Sequence, residues 1–294
     1  MTVALAVQRP ARRRYRRRRL TEAGSVLLAI LLLIWSLLPV YQMLLIALDP
    51  EEGEIEFDGN IWPPEPSLEG FRAVVMQEAR YLENFWQQFG NSLFIGLATM
   101  FLTVLIASLA SFAVSRMRLS RGSLLTNAAL LTYTIPASFL IVPYYRLMHG
   151  YGLSNSLWAV IAAQVAFAIP FAILMLQLYA RLIPFELDDA ARVDGASAVQ
   201  LYLRIYLPLM VPALAVVAVY ALLVAWNDYL YQAVLLSPRN STLAVTQGQL
   251  FTDTDAPWNA MMASAILYVL PPIVLLFALR RYVVAGLTLA DDQR

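Results

Sequence analysis

The sequence predicts an all-α membrane protein with six transmembrane helices, and three observations predict it. First, 60% of its 294 residues are hydrophobic and only 14% are charged. Soluble domains are about half apolar and about a quarter charged. Second, the apolar residues gather into six stretches at 24–48, 91–115, 124–148, 157–180, 207–230 and 260–284. Each supplies the ~20 residues that a helix needs to cross ~30 Å of hydrocarbon. Third, the basic residues alternate across these stretches. With the N-terminus in the cytoplasm, seventeen of the 21 basic residues fall on the cytoplasmic side, and only Arg72, Arg80, Arg146 and Arg239 fall outside. That is the asymmetry of the positive-inside rule, and six spans return the C-terminus to the cytoplasm.

The elements follow in order. Residues 1–23 form an Arg-rich cytoplasmic tail, whose run Arg12–Arg19 next to a span acts as a topology signal rather than a nucleic-acid site. The first span, 24–48, is longer than a signal-peptide core and lacks a small-residue cleavage site, so it reads as a retained helix. Residues 49–90 form an external segment with ten acidic residues and the turn-rich run Ile61-Trp62-Pro63-Pro64-Glu65-Pro66. A core of five helices occupies 91–284, and 285–294 is a short cytoplasmic tail. A second external segment, 231–259, is polar and rich in turn residues. The chain has no cysteine, which excludes disulfides, and no lysine.

Between the fourth and fifth spans the chain does more than turn. The stretch 184–212, PFELDDAARVDGASAVQLYLRIYLPLMVP, carries a predicted cytoplasmic helix over 186–198. Pro184 suits a helix start, where its missing N–H costs nothing. Ala190 and Ala191 permit close approach by a partner, and Gly195 can take a positive φ and turn the chain. Pro208 and Pro212 fall near the start of the fifth span, where proline is tolerated. Asp189 and Asp194 either meet the partner, cap their own helix or pair with Arg192.

The pattern Asp189-Ala190-Ala191, three residues, Gly195, nine residues, Ile205-x-Leu207-Pro208 resembles the EAA loop of the membrane subunits of binding-protein-dependent ABC importers. Asn91-Ser92, Ala113-Val114-Ser115-Arg116, Leu153-Ser154-Asn155-Ser156, Trp226-Asn227-Asp228-Tyr229 and Arg281–Thr288 extend the likeness to the carbohydrate-type, maltose-permease-like second subunit. The chain departs from the family pattern in having Asp189 where Glu is usual and an acidic tail at 289–294. The resemblance implies a type I ABC importer permease fold with a cytoplasmic coupling helix, in a bacterial inner membrane. Its ATPase-coupling residues would be Asp189, Ala190, Ala191, Asp194, Gly195, Ala196 and Pro208. It also implies a homologous second permease, two copies of a cytoplasmic ATPase holding ATP and Mg, and an external solute-binding protein touching Asn240, Ser241, Thr242 and Gln247.

The chain's own chemistry agrees with a permease that is no enzyme. Without lysine there can be no phosphate loop, so no ATP site is expected here. The single histidine, His149, has the setting of an interfacial residue, and neither a metal cluster nor a catalytic constellation is legible. Polar or aromatic groups on apolar spans are the candidates for a translocation path: Tyr133, Tyr144, Gln164, Asn227 and Asp228. Aromatic faces suit the C–H surfaces of sugars, and amides and carboxylates suit their hydroxyls. A non-sugar solute such as a phosphodiester or amino acid stays open. A secondary carrier is the remote alternative, since it would need ionisable groups deep in the spans.

Overall fold

The computed structural model describes residues 11–50, 61–78, 82–117, 122–252 and 257–291, and these contain helices and no β-strand. Arg9, the acidic stretch 51–60, Arg80, Arg118, Arg121, part of the second external segment (253–256) and the end of the acidic tail (292–294) lie outside the described residues. The helices are α1 Ala11–Ala47, α2 Glu69–Val75, α3 Phe85–Arg116, α4 Gly122–Leu131, α5 Ala137–Gly150 and α6 Leu157–Ala180. There follow α7 Glu186–Val193, α8 Ala198–Leu201, α9 Leu207–Trp226, α10 Leu230–Leu235, α11 Leu243–Leu250 and α12 Trp258–Asp291. Among the described residues five helices are long and apolar enough to cross a membrane, and a sixth span is formed if the bent pair α4–α5 counts as one.

The chain divides into two compact units. The first comprises Met1–Phe71 with Pro257–Ala263. Here the end of α1, the start of α2 and the start of α12 close on one another. Ser67 N–H donates to Leu48 O at 2.8 Å, and Asn259 Nδ2 donates to Asp49 O at 3.2 Å. Gly70 makes this approach possible, because a Cβ there would stand 2.8 Å from Asn259 O and 3.0 Å from Ala47 O.

The second unit, Arg72–Ala256 with Ser264–Arg294, is built on α3, α6 and α9, each packed against the other two. The inward stripe of α3 is Ser92, Gly96, Thr99, Thr103, Ala107 and Ser111, all small and at helical spacing. Alanines answer it on α6 (Ala159, Ala163, Ala168, Ala172, Ala180) and α9 (Ala213, Ala215, Ala221, Ala225). Helices that gain nothing from hiding apolar side chains from lipid associate through such close-packing faces. Gly96 is a point of close approach between α3 and α9: a Cβ there would lie 3.0 Å from Leu222.

Two predicted elements differ from expectation. The third span, expected as one helix over 124–148, is broken between Asn127–Thr134 and Ala137–Gly150 with a bend of 100°. Pro136 is the cause. It has no N–H to give, and it holds Ile135 in extended backbone (φ −91°, ψ 117°) as proline demands of its predecessor. The helix expected over 186–198 ends at Val193 and restarts at Ala198. Pro208 stands in the first turn of α9, yet no break precedes it. The chain winds without interruption from Ala198 to Trp226, passing through a π-turn at Tyr202–Tyr206. Pro208 cannot donate to Arg204 O, and the ladder switches register so that Leu207 N–H bonds Tyr202 O. Replacing Gly70 by Ala should lower stability by about 1–3 kcal/mol, read as a fall in the melting temperature of the detergent-purified protein. The same change at the unobstructed Gly24 serves as the control.

Candidate functional site: a docking helix, a broken span and a clamped loop

The first region is α7. Glu186, Asp188 and Asp189 fill its first turn and Arg192 its last, so the charges oppose the helix dipole at both ends. Its C-terminus is a Schellman turn: Ala196 N–H donates to Ala191 O at 2.9 Å and Gly195 N–H to Arg192 O at 3.1 Å. Gly195 stands at φ +83°, which a side chain tolerates poorly. Ser197 and Gln200 then form a reciprocal capping box that starts α8. The side chains divide by face. Asp189, Ala190, Asp194 and Gly195 are exposed, whereas Ala191 and Ala196 pack on the chain's own apolar cluster around Leu176, Ala180 and Tyr206. Pro208 belongs to α9, beyond this surface.

Asp188, which the sequence pattern did not single out, is the buried residue of α7. Its carboxylate accepts from Arg116 Nη1 at 3.1 Å, and the same guanidinium donates to Ala180 O at 2.8 Å and Ile183 O at 2.9 Å. Phe185 lies 4.7 Å from the guanidinium carbon, and Arg192 donates to Arg116 O at 3.3 Å. Two adjacent aspartates on a helix lie ~100° apart, so one can face a partner while the other faces the bundle. Breaking a buried pair of this kind by removing one member costs about 3–5 kcal/mol.

The second region surrounds the break in the third span. Tyr133 donates to Phe167 O at 2.6 Å and lies 3.3 Å from the Tyr220 hydroxyl, whose ring stands 4.4 Å from that of Phe171. On the other side of Phe167 is Tyr231, with ring centroids 5.1 Å apart, and beyond it Tyr144 at 5.7 Å. Tyr231 donates to Ala137 O at 2.7 Å and Tyr144 to Ala159 O at 2.7 Å. Phe167 lies near the middle of α6, so the break meets its neighbours at mid-span. Tyr133 and Tyr144 are thus joined through Phe167 and Tyr231, and Tyr220, Phe171 and Tyr231 are members that the sequence reading missed. Their position is legible only once Pro136 is seen to break the helix.

The end of α9 adjoins this cluster. Asn227 Nδ2 donates to Leu223 O at 3.0 Å, Gln232 Nε2 to Ala225 O at 2.7 Å, and Tyr268 to Trp226 O. These side chains satisfy carbonyls that a helix end leaves without intrahelical donors. Asp228, past the end of the span, accepts from Gln232 N–H at 3.2 Å. Burial pushes its carboxyl up to about 6, against the backbone amides of Gln232 and Tyr231 and the side chain of Gln164, which favour the charge. Gln164 is buried.

The third region is the segment 237–250. Ser241, Thr242 and Gln247, expected at a partner surface, are buried, and Asn240 is half-buried. Thr242 donates to Gln232 Oε1, Gln247 Nε2 to Ser264 Oγ at 2.8 Å, and Asn240 Nδ2 to Asn155 O at 2.9 Å. The backbone is held as well: Asn91 Nδ2 donates to Ser241 O at 2.9 Å, and Ser92 Oγ accepts from Leu243 N–H at 3.0 Å. A polar turn at the end of an apolar bundle must place its backbone groups somewhere, and these side chains take them. The exposed residues of the segment are Pro238, Arg239 and Gln249, followed by Phe251 and Thr252.

The family described as "Binding-protein-dependent transport system inner membrane component" matches residues 103–289. An inner membrane ABC transporter permease protein (YcjP) of Escherichia coli (strain K12) is 31% identical, over 92% of this chain and 96% of its own. A trehalose transport system permease (SugB) of Mycobacterium tuberculosis is 30% identical, over 86% and 91%. A maltodextrin transport system permease (MdxG) of Bacillus subtilis is 32% identical, over 80% and 82%. Among solved structures, a bacterial ABC transporter involved in the import of the acidic polysaccharide alginate aligns with a TM-score of 0.72. The alignment covers 96% of this chain and 100% of that one at 18% identity, a likeness of fold. Gly195→Ala should cost about 1–2 kcal/mol at the end of α7. It should appear as faster hydrogen exchange at Asp194–Ala196 with exchange in α6 unchanged.

Proposed function

Since the chain belongs to the binding-protein-dependent inner-membrane transport components, we propose that it is the permease subunit of an ATP-driven importer for a carbohydrate. The solute class is a sugar, oligosaccharide or polyol. Relatives similar over most of the chain carry trehalose and maltodextrin in their names. The broken third span supplies the matching chemistry. Irregular backbone at mid-span persists in a membrane only where protein or water covers it, and transporters place such breaks along their solute paths. Around this break stand tyrosine and phenylalanine rings with hydroxyls, and Gln164 and Asp228 beyond them. Rings stack on sugar C–H faces while hydroxyls, amide and carboxylate bond sugar hydroxyls.

The observation that carries the reading is α7, a charged helix between two apolar spans that offers Asp189, Ala190, Asp194 and Gly195 outward. In this reading it faces the cytoplasm and docks in an ATPase subunit. Two copies of that subunit, each holding ATP and Mg, would serve this chain and a homologous second permease. An external binding protein would deliver the solute to the surface beside Arg239 and Phe251. Closure of the ATPase pair on ATP would push α7 and open the path outward, and hydrolysis would reset it inward.

A mild-detergent pull-down of the tagged chain should recover a second six-span protein and a phosphate-loop ATPase. The complex in proteoliposomes should take up a sugar with ATP and the binding protein present. Ala190→Phe should leave the chain folded and cut uptake at least about tenfold, or about 1.4 kcal/mol. Recovery of the chain alone with uptake intact, or unchanged uptake in the Phe variant, would sink the proposal.

A further inference from the structure

Helix α3 is the element on which the two outward-facing regions of the second unit converge. At one end, Arg116 spans a carboxylate and two backbone carbonyls: Asp188 on α7, Ala180 O at the end of α6 and Ile183 O between them. A second bond returns from Arg192 on α7 to Arg116 O. Asp188 and Arg192 are four residues apart and so lie on one face of α7. Rotating or sliding α7 against α3 would break a pair whose side chains are 2% and 9% exposed. At the other end, Gln88 Oε1 accepts from Thr246 Oγ1 at 2.8 Å, Asn91 holds the carbonyls of Asn240 and Ser241, and Ser92 holds the amide of Leu243. Gln87 Nε2 adds a bond to Arg239 O at 3.0 Å. The whole of α3 runs 32 residues without a proline, a rod of roughly 48 Å at 1.5 Å per residue.

We infer that α3 is the transmission rod between the docking helix α7 and the clamped segment 237–250. Arg116 is the positioning residue at one end and Asn91 the one at the other. The inference rests on the permease reading above. The chain's own connectivity would send a movement of α7 into α6 and, through α8, into α9. The hydrogen bonds add a third route, into a helix that is remote from α7 in sequence. Through it, an event at the ATPase would reach the segment beside the binding protein without passing through the broken span, so the two partners would sense one another even with the path empty.

The test uses the complete complex in proteoliposomes, with its ATPase, second permease and binding protein, and reads ATP hydrolysis with and without loaded binding protein. Arg116→Lys keeps the charge but lacks the planar fork that holds Asp188 and both carbonyls together. Asn91→Asp keeps the shape and removes the amide donor. Each should leave co-purification of the ATPase and basal hydrolysis within about twofold and lower the stimulation by loaded binding protein about tenfold. The double variant should lose no more than either single one, because both interrupt one connection. Losses that multiply to about a hundredfold would overturn the inference, as would stimulation unchanged in Arg116→Lys. Equal loss of basal and stimulated rates would also overturn it, since a merely structural role behaves so. A wild-type chain that recruits no ATPase would instead count against the permease reading itself.

Discussion

Every backbone N–H and C=O in an apolar span must find its partner inside the protein, and the rest of this structure depends on that constraint. It makes the spans helical. It also governs the places where helices stop. The last carbonyls of α9 are taken by Asn227, Gln232 and Tyr268, side chains drawn from three different segments. The turn 237–242 is held by Asn91, Ser92 and Asn155 in the same way. The polar side chains at these helix ends are therefore fasteners.

The break at Pro136 and the π-turn before Pro208 are two outcomes of one chemical defect, a missing N–H. At Pro208 the ladder shifts register and the helix continues as a single span. At Pro136 the preceding Thr-Tyr-Thr segment forms a 3₁₀ turn and the chain swings through 100°. The difference lies in the surroundings. Tyr202 and Tyr206 are tied by their hydroxyls to Ser108 and Ser111 on α3, which keeps that turn wound. At the other site Tyr133 reaches across to α6 and α9 instead.

Helix α7 follows a different logic, because it stands at the edge of the apolar bundle. Its charges suit its dipole, and its end is closed by Gly195. What fixes its orientation is one buried ion pair. An exposed pair would contribute little and let the helix swivel, whereas a buried guanidinium shared among a carboxylate and two carbonyls holds one geometry.

Residue order alone determined the helical class, the number of apolar stretches, the presence of a helix starting at 186 with a turn at Gly195, and the family. These rest on local or compositional signals: runs of apolar residues, a proline at a helix start, a glycine that takes φ +83°. Tertiary structure decided which aspartate of the pair 188–189 turns inward, because nothing local distinguishes them until Arg116 arrives from 72 residues away. It decided likewise that Ser241, Thr242 and Gln247 are clasped within the chain and not displayed, since their partners lie on α3, α10 and α12. A turn-rich polar segment looks the same in sequence whether its polar groups face solvent or their own bundle. Only the three-dimensional accounting of hydrogen bonds separates the two.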